Sequence, residues 1–535
     1  MTIPIWSRHA DLSGRLSRWR SLAAAAGTAL LLFFAMPGYF GWWPLLFVAL
    51  TPLFTAALYL PPGRSGCMGF FAGFLYHILT LHWIVVVLGR YGGLPPWLSV
   101  PALVLLALYM GLYSAIFCLL LSLIAGRSWH RERSVAVLVW TAPVLWVGLD
   151  FLRGFLFTGF PWLDLGYGLY SQPLLIQAAD LGGHHLLSFT LALANSFLVA
   201  IIDRQRSQVR WNIRREKRAL VLACCFLIFV FGYSVVRFRV LPSLFYHSLQ
   251  AEVSVIQGNI AQDVKWNPEK KEQTVAVYEH LSRRAVRQHT TELLVWPETA
   301  LPFYPQQDPL AARIAELAGK ENLYLLTGAP TFRITGRDNQ KTVSYFNSAL
   351  LIGPNGKVAG MHAKQHLVPF GEYVPMRKFL PFLSPLVENI GDFTAGASSS
   401  PIAVGEQLRL GVLICFESIF PKIARDEVAA GANLLVNLTN DAWYGRTSAP
   451  YQSMAMAVLR AVETKRTLVR AANTGISGFV DPSGKVLQQT KLFTEAAITA
   501  KVPVFEKQTV FVRGGYAFGA MCLACIPVLF YWRKR

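Results

Sequence analysis

Long apolar stretches separated by short basic clusters fill the first 240 residues of the chain and return near its end. A helix needs about 20 consecutive apolar residues to cross a bilayer. Eight stretches come close to that length. They predict membrane-spanning helices near residues 21–36, 44–60, 66–88, 97–124, 135–152, 186–202, 219–236 and 515–531.

The basic residues of the loops predict how these helices are oriented across the membrane, because short loops on the cytoplasmic side are enriched in Lys and Arg. Clusters of them precede the first stretch, follow the fourth and the sixth, and end the chain. With eight spans, all four clusters fall on one side of the membrane. The pattern predicts cytoplasmic termini and an extracytoplasmic segment between the last two spans.

That segment, residues 240–512, has the pattern of an α/β domain. Stretches near 269–288 and 309–320 predict helices. The predicted strands are Glu252–Ile256, Leu293–Trp296, Tyr324–Thr327, Leu408–Ile414 and Leu434–Leu438. We therefore expect a membrane domain over 1–239, an extracytoplasmic domain over 240–512, and a final span with a basic tail over 513–535.

One run in the extracytoplasmic segment, Phe379–Val387, is apolar, broken by proline and too short to cross a bilayer. It fits a buried loop and a membrane-dipping lid equally well.

The composition agrees with a membrane protein, because 53% of the 535 residues are hydrophobic and only 15% are charged. The formal net charge of +20 could indicate nucleic acid binding. The basic residues lie in clusters between apolar stretches, however, and not along one face of a helix. We therefore expect contact with a lipid bilayer and no nucleic acid partner.

Seven cysteines occur in the chain, and Cys415 is the only one in the extracytoplasmic segment. In a compartment that favours disulfides, such a cysteine is either protected by burial or kept for its reactivity. Cys415 follows the predicted strand Leu408–Ile414, and a strand end can present a nucleophile to a pocket. On this evidence a packed core thiol stays the alternative.

A cysteine nucleophile needs a base or a positive charge nearby, because a free thiol with a pKa of about 8.5 is mostly protonated at neutral pH. Glu298 follows a predicted strand in VWPET, where its carboxylate could reach the same pocket. Lys364 lies among apolar, proline and glycine residues in HAKQHLVPFGEY. A surface carboxylate and a solvated lysine are the alternatives for these two residues.

Four ordered motifs, VWPET, KQHLVPFGEYVP, GVLICFES and NLTNDAWYG, together carry a resemblance. They resemble the nitrilase superfamily and, within it, the apolipoprotein N-acyltransferases of bacterial envelopes. The eight predicted spans, the domain before the last span and TGFPWLDLGYG at 158–168 fit the same family. The resemblance implies an αββα nitrilase-like sandwich attached to the polytopic membrane domain.

By this resemblance Cys415 is the nucleophile, Glu298 the general base and Lys364 the cation that binds the oxyanion. Each role suits its residue type, because a carboxylate can take a thiol proton and an ammonium can stabilise a tetrahedral oxygen. Glu372 and Glu417 match supporting acids of the family, with structural salt bridges as the alternative.

The resemblance also implies a set of aromatic residues beside the substrate. Trp266 matches a tryptophan that contacts substrate in the family, and Trp443 and Tyr444 belong to the loop that walls the site. Phe416 stands where these acyltransferases often have tyrosine, so a phenolic hydroxyl is not required there. Packed aromatic residues are the alternative for this group.

The implied reaction is a two-step acyl transfer, the last step of lipoprotein maturation. Cys415 attacks an ester of a membrane phospholipid and keeps the acyl chain as a thioester. The α-amine of a diacylglyceryl-cysteine at the N-terminus of an apolipoprotein then accepts the chain. The resemblance implies a multi-pass protein of the bacterial inner membrane with a periplasmic catalytic domain.

Three other functions stay open. A membrane-tethered amidase would use the same triad on a small amide, and a thiol protease would pair Cys415 with His366 or His362. A transporter or receptor would use ionisable residues in or near the predicted spans. These ionisable residues are His77, His82, His184, His185, Asp150 and Asp180.

We expect no metal and no cofactor. The sequence has no HExxH motif and no glycine-rich phosphate loop, and its histidines do not cluster at ligand spacing.

Overall fold

The structure is a computed structural model that describes residues 17–126, 135–206, 213–336, 341–373, 393–397, 400–514 and 517–534. The run Phe379–Val387, predicted as a buried loop or a lid, lies outside these residues.

The apolar first part of the chain folds into helices that pack side by side. Their bounds are α1 Arg18–Ala35, α2 Thr51–Tyr59, α3 Pro62–Thr80, α4 Trp83–Val86, α5 Pro96–Leu121, α6 Val135–Arg153, α7 Ala179–Arg206 and α8 Ile213–Tyr246. The final helix, Ala517–Lys534, packs against α6 and α7. We call α1 to α8, their connections and the final helix the membrane part.

Helices cover most of each predicted apolar stretch, but the count of eight spans is not confirmed. Among the described residues, four helices are long and apolar enough to cross a membrane: Pro96–Gly126, Val135–Arg153, Ala179–Asp203 and Glu216–Tyr246. The pair Pro62–Thr80 and Trp83–Tyr91, bent by 48°, would make a fifth. Trp43–Tyr59 and Ala517–Tyr531 are apolar but shorter. These helices indicate a membrane protein.

Residues 249–514 form an α/β domain with two six-stranded sheets. The first sheet, in the order β12-β1-β2-β3-β4-β5, contains β1 Leu249–Gln257, β2 Leu293–Val295, β3 Tyr324–Thr335, β4 Thr342–Ile352, β5 Val358–Ala363 and β12 Ala496–Val504. The second, in the order β11-β10-β9-β8-β7-β6, contains β6 Ile402–Val404, β7 Leu408–Ile414, β8 Leu434–Thr439, β9 Thr467–Ala472, β10 Gly478–Val480 and β11 Val486–Gln489. The helices of this domain are α9 Gln262–Lys265, α10 Lys271–Gln288, α11 Ala311–Lys320, α12 Pro421–Ala429, α13 Ala449–Thr464 and α14 Val510–Gly514.

The two sheets stack face to face with helices on both outer sides. Val255 and Leu326 of the first sheet and Val412 and Val436 of the second belong to one buried core. Helices α10 and α11 cover the first sheet, and α12 and α13 cover the second. This confirms the expected αββα sandwich.

The helical layer on the second sheet is continuous with the membrane part. One buried apolar cluster contains Phe54 and Leu145 of α2 and α6 together with Leu459 and Val462 of α13. The α/β domain is therefore packed onto the membrane part through a shared core, and its orientation is fixed more firmly than a single linking helix would allow.

Parallel strands set the position of the chemistry. Strands β1, β2 and β3 run parallel, as do β7, β8 and β9. Polar residues that follow parallel strands meet at one edge of a sheet, where α/β folds place their ligands. Glu298 follows β2, Cys415 follows β7 and Asn440 follows β8.

Gln452, near the start of α13, binds the membrane part through both ends of its amide. Its Oε1 accepts hydrogen bonds from the indole Nε1 of Trp83 at 3.1 Å and of Trp162 at 2.8 Å. Its Nε2 donates to the carbonyl oxygen of Thr80 at 3.1 Å. All these groups are buried, so each bond replaces a lost contact with water.

We expect Gln452→Leu to lower the Tm of the detergent-solubilised protein by several degrees. The substitution leaves two buried indole N–H groups without an acceptor, at about 1–3 kcal/mol each. The control is Gln488→Leu on the exposed strand β11, which should melt like wild type. An unchanged Tm for Gln452→Leu would show that these bonds do not stabilise the packing of the two parts.

Candidate active site

Cys415 is the first residue after β7 and begins a short 3₁₀ turn, Cys415–Ile419. Its φ is +54°, a left-handed conformation that residues other than glycine adopt rarely. Such strain persists only where the surrounding structure enforces it, and it is common at catalytic positions. The structure thus places Cys415 at the strand end that the sequence indicated, in a backbone conformation typical of a presented nucleophile.

The thiol of Cys415 is protonated at neutral pH. Burial raises its pKa to about 12, and the nearby Glu298 carboxylate adds to the rise. The Lys364 ammonium and a hydrogen bond with Thr439 oppose it without reversing it. A nucleophilic role for Cys415 would therefore need a base to take the proton of the thiol, because the residue does not stand ready as a thiolate.

Glu298 is buried, and both of its carboxylate oxygens accept hydrogen bonds. Asn347 Nδ2 donates to Oε1 at 2.8 Å, and the backbone N–H of Asn440 donates to Oε2 at 2.9 Å. Strand β3 approaches closely at Gly328, where an added Cβ would lie 2.6 Å from Glu298 Cα. These contacts fix the carboxylate in one orientation.

Lys364 is fully buried at the end of β5 and lies between two carboxylates. Its Nζ donates to Glu372 Oε1 at 2.9 Å and lies 3.7 Å from Glu298 Oε1. Burial alone would lower its pKa, but Glu372, Glu298 and Cys415 outweigh that effect and raise the pKa above its ordinary value. Lys364 therefore stays an ammonium, which is the form that can stabilise an oxyanion.

Glu372 connects the parts of this cluster. Its Oε1 accepts from both Lys364 Nζ and Asn347 Nδ2, and its Oε2 accepts from the backbone N–H of Val368 at 2.8 Å. Glu372, which the sequence predicted as a supporting acid, thus contacts the ammonium of Lys364 directly.

Glu417 binds backbone groups, and not the lysine. Its carboxylate accepts from the N–H groups of Gln365 at 2.6 Å, His366 at 2.9 Å and Ile414 at 2.7 Å. Burial raises its pKa to about 7, although these donors oppose the rise. Glu417 thereby ties the loop after Lys364 to the turn that begins with Cys415.

We expect Glu417→Gln to reduce acyl transfer about tenfold or more and to lower the Tm. The amide NH₂ would face a backbone N–H, which leaves a buried donor unsatisfied at a cost of about 1–3 kcal/mol, and the loop after Lys364 would shift. Activity and Tm of the variant are compared with those of Glu406→Gln, an exposed position of the same domain. Wild-type activity in Glu417→Gln would contradict this role.

The structure adds two buried polar residues that the motifs did not single out. Asn347 bridges Glu298 and Glu372 through one amide nitrogen. Arg470 binds Asn437 and Asp441 at the end of β8, with 3.0 Å from its Nη2 to Asp441 Oδ2. The sequence gives one weak indication of these two residues, because each is a polar residue inside a strand that is otherwise rich in apolar residues.

We expect Asn347→Asp to slow the reaction of Cys415 at neutral pH at least tenfold. The substitution removes the N–H donor that binds Glu298 and Glu372, and it places a like charge against both carboxylates. The measurement is the reaction rate of Cys415 in the variant and in wild type at neutral pH. A wild-type rate would contradict this role of the contact.

Three of the four predicted aromatic residues, Phe416, Trp443 and Tyr444, lie where the α/β domain meets the membrane part. Phe416 packs beside Phe160 and Trp162, with ring centroids 6.3 and 6.4 Å away. Tyr444 contacts Trp83 at 5.1 Å.

The other two aromatic residues differ in position. Trp443 contacts Tyr91 across the same boundary, with ring centroids 5.7 Å apart. Trp266 follows α9 and is half-buried; the preceding Lys265 donates to the Glu298 carbonyl oxygen at 3.1 Å. Phe416, Trp443 and Tyr444 therefore form an aromatic boundary with the membrane part, and Trp266 lies next to a residue that binds the backbone of Glu298.

The rings of the two histidines proposed for a thiol protease contact other residues. His366 packs on Phe420, with ring centroids 4.0 Å apart, and His362 Nδ1 lies 3.9 Å from Glu427. Burial lowers the pKa of each to about 4. In the described part of the chain, no hydrogen bond joins either ring to Cys415, so the geometry does not support a Cys-His dyad.

One cluster corrects the expectation that the histidines do not gather. Asp164, His184 and His185 offer atoms within 4.8 Å of one another, close enough to hold a metal ion. However, Arg153 already binds Asp164, and both ring nitrogens of His184 face carboxylates. In the structure these side chains are therefore held by ion pairs and hydrogen bonds with one another.

Comparisons with known proteins agree with both parts of the chain. Residues 27–197 match the family Apolipoprotein N-acyltransferase N-terminal domain, and residues 252–507 match the family Carbon-nitrogen hydrolase. A curated apolipoprotein N-acyltransferase of Geobacter metallireducens is 42% identical over 95% of this chain and 94% of its own length. The apolipoprotein N-acyltransferase of Azotobacter vinelandii is 31% identical over 92% of this chain and 90% of its own length. An amidase from Nesterenkonia sp. has a solved structure with 21% identity and a TM-score of 0.36, covering 51% of this chain and 95% of its own.

Proposed function

This chain belongs to the apolipoprotein N-acyltransferase family and is an acyltransferase, and we propose that it moves an acyl chain from a membrane phospholipid to a lipoprotein through a thioester on Cys415. The acceptor is the N-terminal α-amine of a diacylglyceryl-cysteine. The observation that carries the proposal is the buried cluster in which Glu298 and Lys364 act on the pKa of Cys415 with opposite signs.

In the first step, Cys415 Sγ attacks the carbonyl carbon of the phospholipid ester while the Glu298 carboxylate takes the thiol proton. The carbonyl oxygen becomes an oxyanion, which the Lys364 ammonium stabilises. Collapse of the tetrahedral intermediate breaks the ester C–O bond. The leaving oxygen takes the proton from Glu298 and departs as the lysophospholipid, and the acyl chain remains as a thioester.

In the second step, the lipoprotein α-amine attacks the thioester carbonyl and gives a proton to Glu298. The C–S bond breaks, Cys415 recovers a proton from Glu298, and the amide product leaves. The net reaction exchanges an ester for an amide, and the catalyst is restored. No oxidant, reductant, metal or cofactor enters the balance.

The packing at the site favours an amine over water as the acceptor. Phe160 and Trp162 of the membrane part cover Phe416, beside the nucleophile, and Trp83 covers Tyr444. An apolar boundary suits acyl chains and limits the access of water, which is the competing nucleophile. A tethered amidase would need no such continuous core with the membrane helices.

We also propose the membrane arrangement that the charge pattern predicts. The protein is a multi-pass inner-membrane protein with eight spans, cytoplasmic termini and a periplasmic catalytic domain. The basic clusters support it, and so does the position of the α/β domain between helix α8 and the final helix.

The decisive experiment is the intact mass of the purified protein after incubation with phospholipid vesicles. We expect wild type to gain the mass of an acyl chain and to lose it with hydroxylamine, which cleaves thioesters. Cys415→Ala and Glu298→Ala should gain nothing. The matched control, Cys525→Ala, removes an exposed cysteine of the final helix and should still be acylated.

A contrary result would identify which part of the proposal is wrong. If wild type stays unmodified by phospholipid but releases ammonia from small amides, the lipid donor is wrong and the tethered amidase is right. If Cys415→Ala is acylated like wild type, the nucleophile is wrong.

A further inference from the structure

A continuous set of buried polar contacts joins the membrane part to the turn that begins with Cys415. It starts at Asp164, in the connection between α6 and α7, and passes through His184 of α7. It then reaches Glu463 and Arg460 on α13 and ends at Ile419, the last residue of the Cys415–Ile419 turn. All four charged or titratable side chains are buried.

His184 links two carboxylates from different parts of the protein. Its Nε2 lies 2.8 Å from Asp164 Oδ2, and its Nδ1 lies 3.1 Å from Glu463 Oε1. Its backbone N–H also donates to Glu463 Oε1 at 2.8 Å. The ring of His184 therefore bridges a carboxylate of the membrane part and a carboxylate of the α/β domain.

Arg460 uses its guanidinium to join three groups. Its Nη2 donates to Tyr167 Oη at 3.0 Å and to Glu463 Oε1 at 3.0 Å. Its Nη1 donates to the carbonyl oxygen of Ile419 at 3.4 Å. Tyr167 belongs to the membrane part, and its ring stacks on His184 with centroids 4.5 Å apart. Arg460 therefore contacts the membrane part and the nucleophile turn at once.

The spacing along α13 directs these contacts to one side. Gln452, Arg460 and Glu463 are eight and three residues apart, which places them on the same side of a helix. Lys465, just after the helix, donates to Gln177 Oε1 of the membrane part at 2.7 Å. Helix α13 also packs on the Cys415–Ile419 turn and leads into β9, which carries Arg470.

We propose that Arg460 is a positioning residue for the reaction: anchored by Tyr167, Glu463 and His184, it fixes the Cys415–Ile419 turn in its strained conformation. The membrane part then sets the geometry of the nucleophile as well as the place of the reaction. This inference rests on the proposed role of Cys415, but not on the identity of the acyl donor.

The test measures acylation of Cys415 by a soluble p-nitrophenyl ester, with the full chain in detergent. The readout is the p-nitrophenol that the ester releases. We expect Arg460→Lys to lower the rate at saturating ester about tenfold, because a small displacement of a reacting group costs about that much or more. The milder variant Tyr167→Phe removes one hydroxyl from the boundary and should lower the rate about threefold. The ester concentration at half-saturation should not change in either variant.

Arg466→Lys is the matched control. Arg466 is an equally buried arginine of the α/β domain, but its guanidinium donates to backbone carbonyls of that domain, such as Ala432 at 2.9 Å and Glu506 at 2.8 Å. We expect it to keep the wild-type acylation rate even if its Tm falls. A structural role for buried arginines in general would instead slow Arg460→Lys and Arg466→Lys alike.

The outcomes are distinct. Rates for Tyr167→Phe and Arg460→Lys within about twofold of wild type would overturn the inference, and Tyr167→Phe decides alone if Arg460→Lys does not fold. If wild type reacts with the ester but not with phospholipid, the proposed acyl donor is wrong and this inference is unaffected. If wild type does not react even with the ester, the proposed function and this inference are both wrong.

Discussion

The candidate active site depends on keeping one ammonium group out of water between two carboxylates. Lys364 is about 1% exposed, with Glu372 at 2.9 Å and Glu298 at 3.7 Å. Removing ions from water costs several kcal/mol per group, and only good geometry with further hydrogen bonds offsets that cost. The surrounding structure therefore has to hold every partner in place, which is the requirement that Asn347, Asn440 and Val368 meet with their N–H groups.

The fold meets that requirement by bringing two sheets and the membrane part to one point. Glu298 comes from the first sheet, Cys415 from the second, and the loop after β5 delivers Lys364 and Glu372. Stacked sheets alone would leave this edge open to solvent. Packing of α13 and of Phe416 against the membrane part closes it with apolar side chains, next to the candidate catalytic groups. One interface therefore both anchors the α/β domain and encloses the candidate site.

The sequence predicted the α/β domain and its strand ends well, because apolar runs of strand length are local signals, whereas the αββα sandwich was implied by the resemblance of the motifs. The strand Leu408–Ile414 was predicted with its observed bounds, and the helix predicted at 309–320 begins two residues later. Tyr324–Thr327 was predicted too short, because β3 continues through the buried residues Gly328–Thr331, which include a glycine and a proline, to an exposed end at Thr335. The number of spans could not be settled, since short apolar helices such as Trp43–Tyr59 satisfy a hydropathy pattern without the length of a span.

The sequence predicted the candidate site less completely than the fold, for a different reason. Motifs indicated Glu298, Lys364 and Cys415, but the bridging amide of Asn347 and the contacts of Arg460 depend on pairs far apart in sequence. Tyr167 and Arg460 are separated by 293 residues, so no window of sequence contains their relation. The histidines illustrate the same point: His184 and Asp164 are 20 residues apart and meet only because the connection from α6 folds back over α7.

In the proposed mechanism, a neutral thiol is the physical reason that the base and the cation must act together. With a pKa near 12, Cys415 holds its proton at neutral pH, so the thiolate of the proposed attack would form only as Glu298 takes that proton. The proton transfer leaves a thiolate beside a newly neutral acid, and the negative charge then moves to the carbonyl oxygen as the C–S bond forms. Lys364, kept charged by Glu372, faces that developing charge throughout. A thiol that ionises only in the presence of a bound carbonyl is also less exposed to oxidation, which requires the thiolate. This property suits a lone cysteine in the oxidising compartment proposed for the domain.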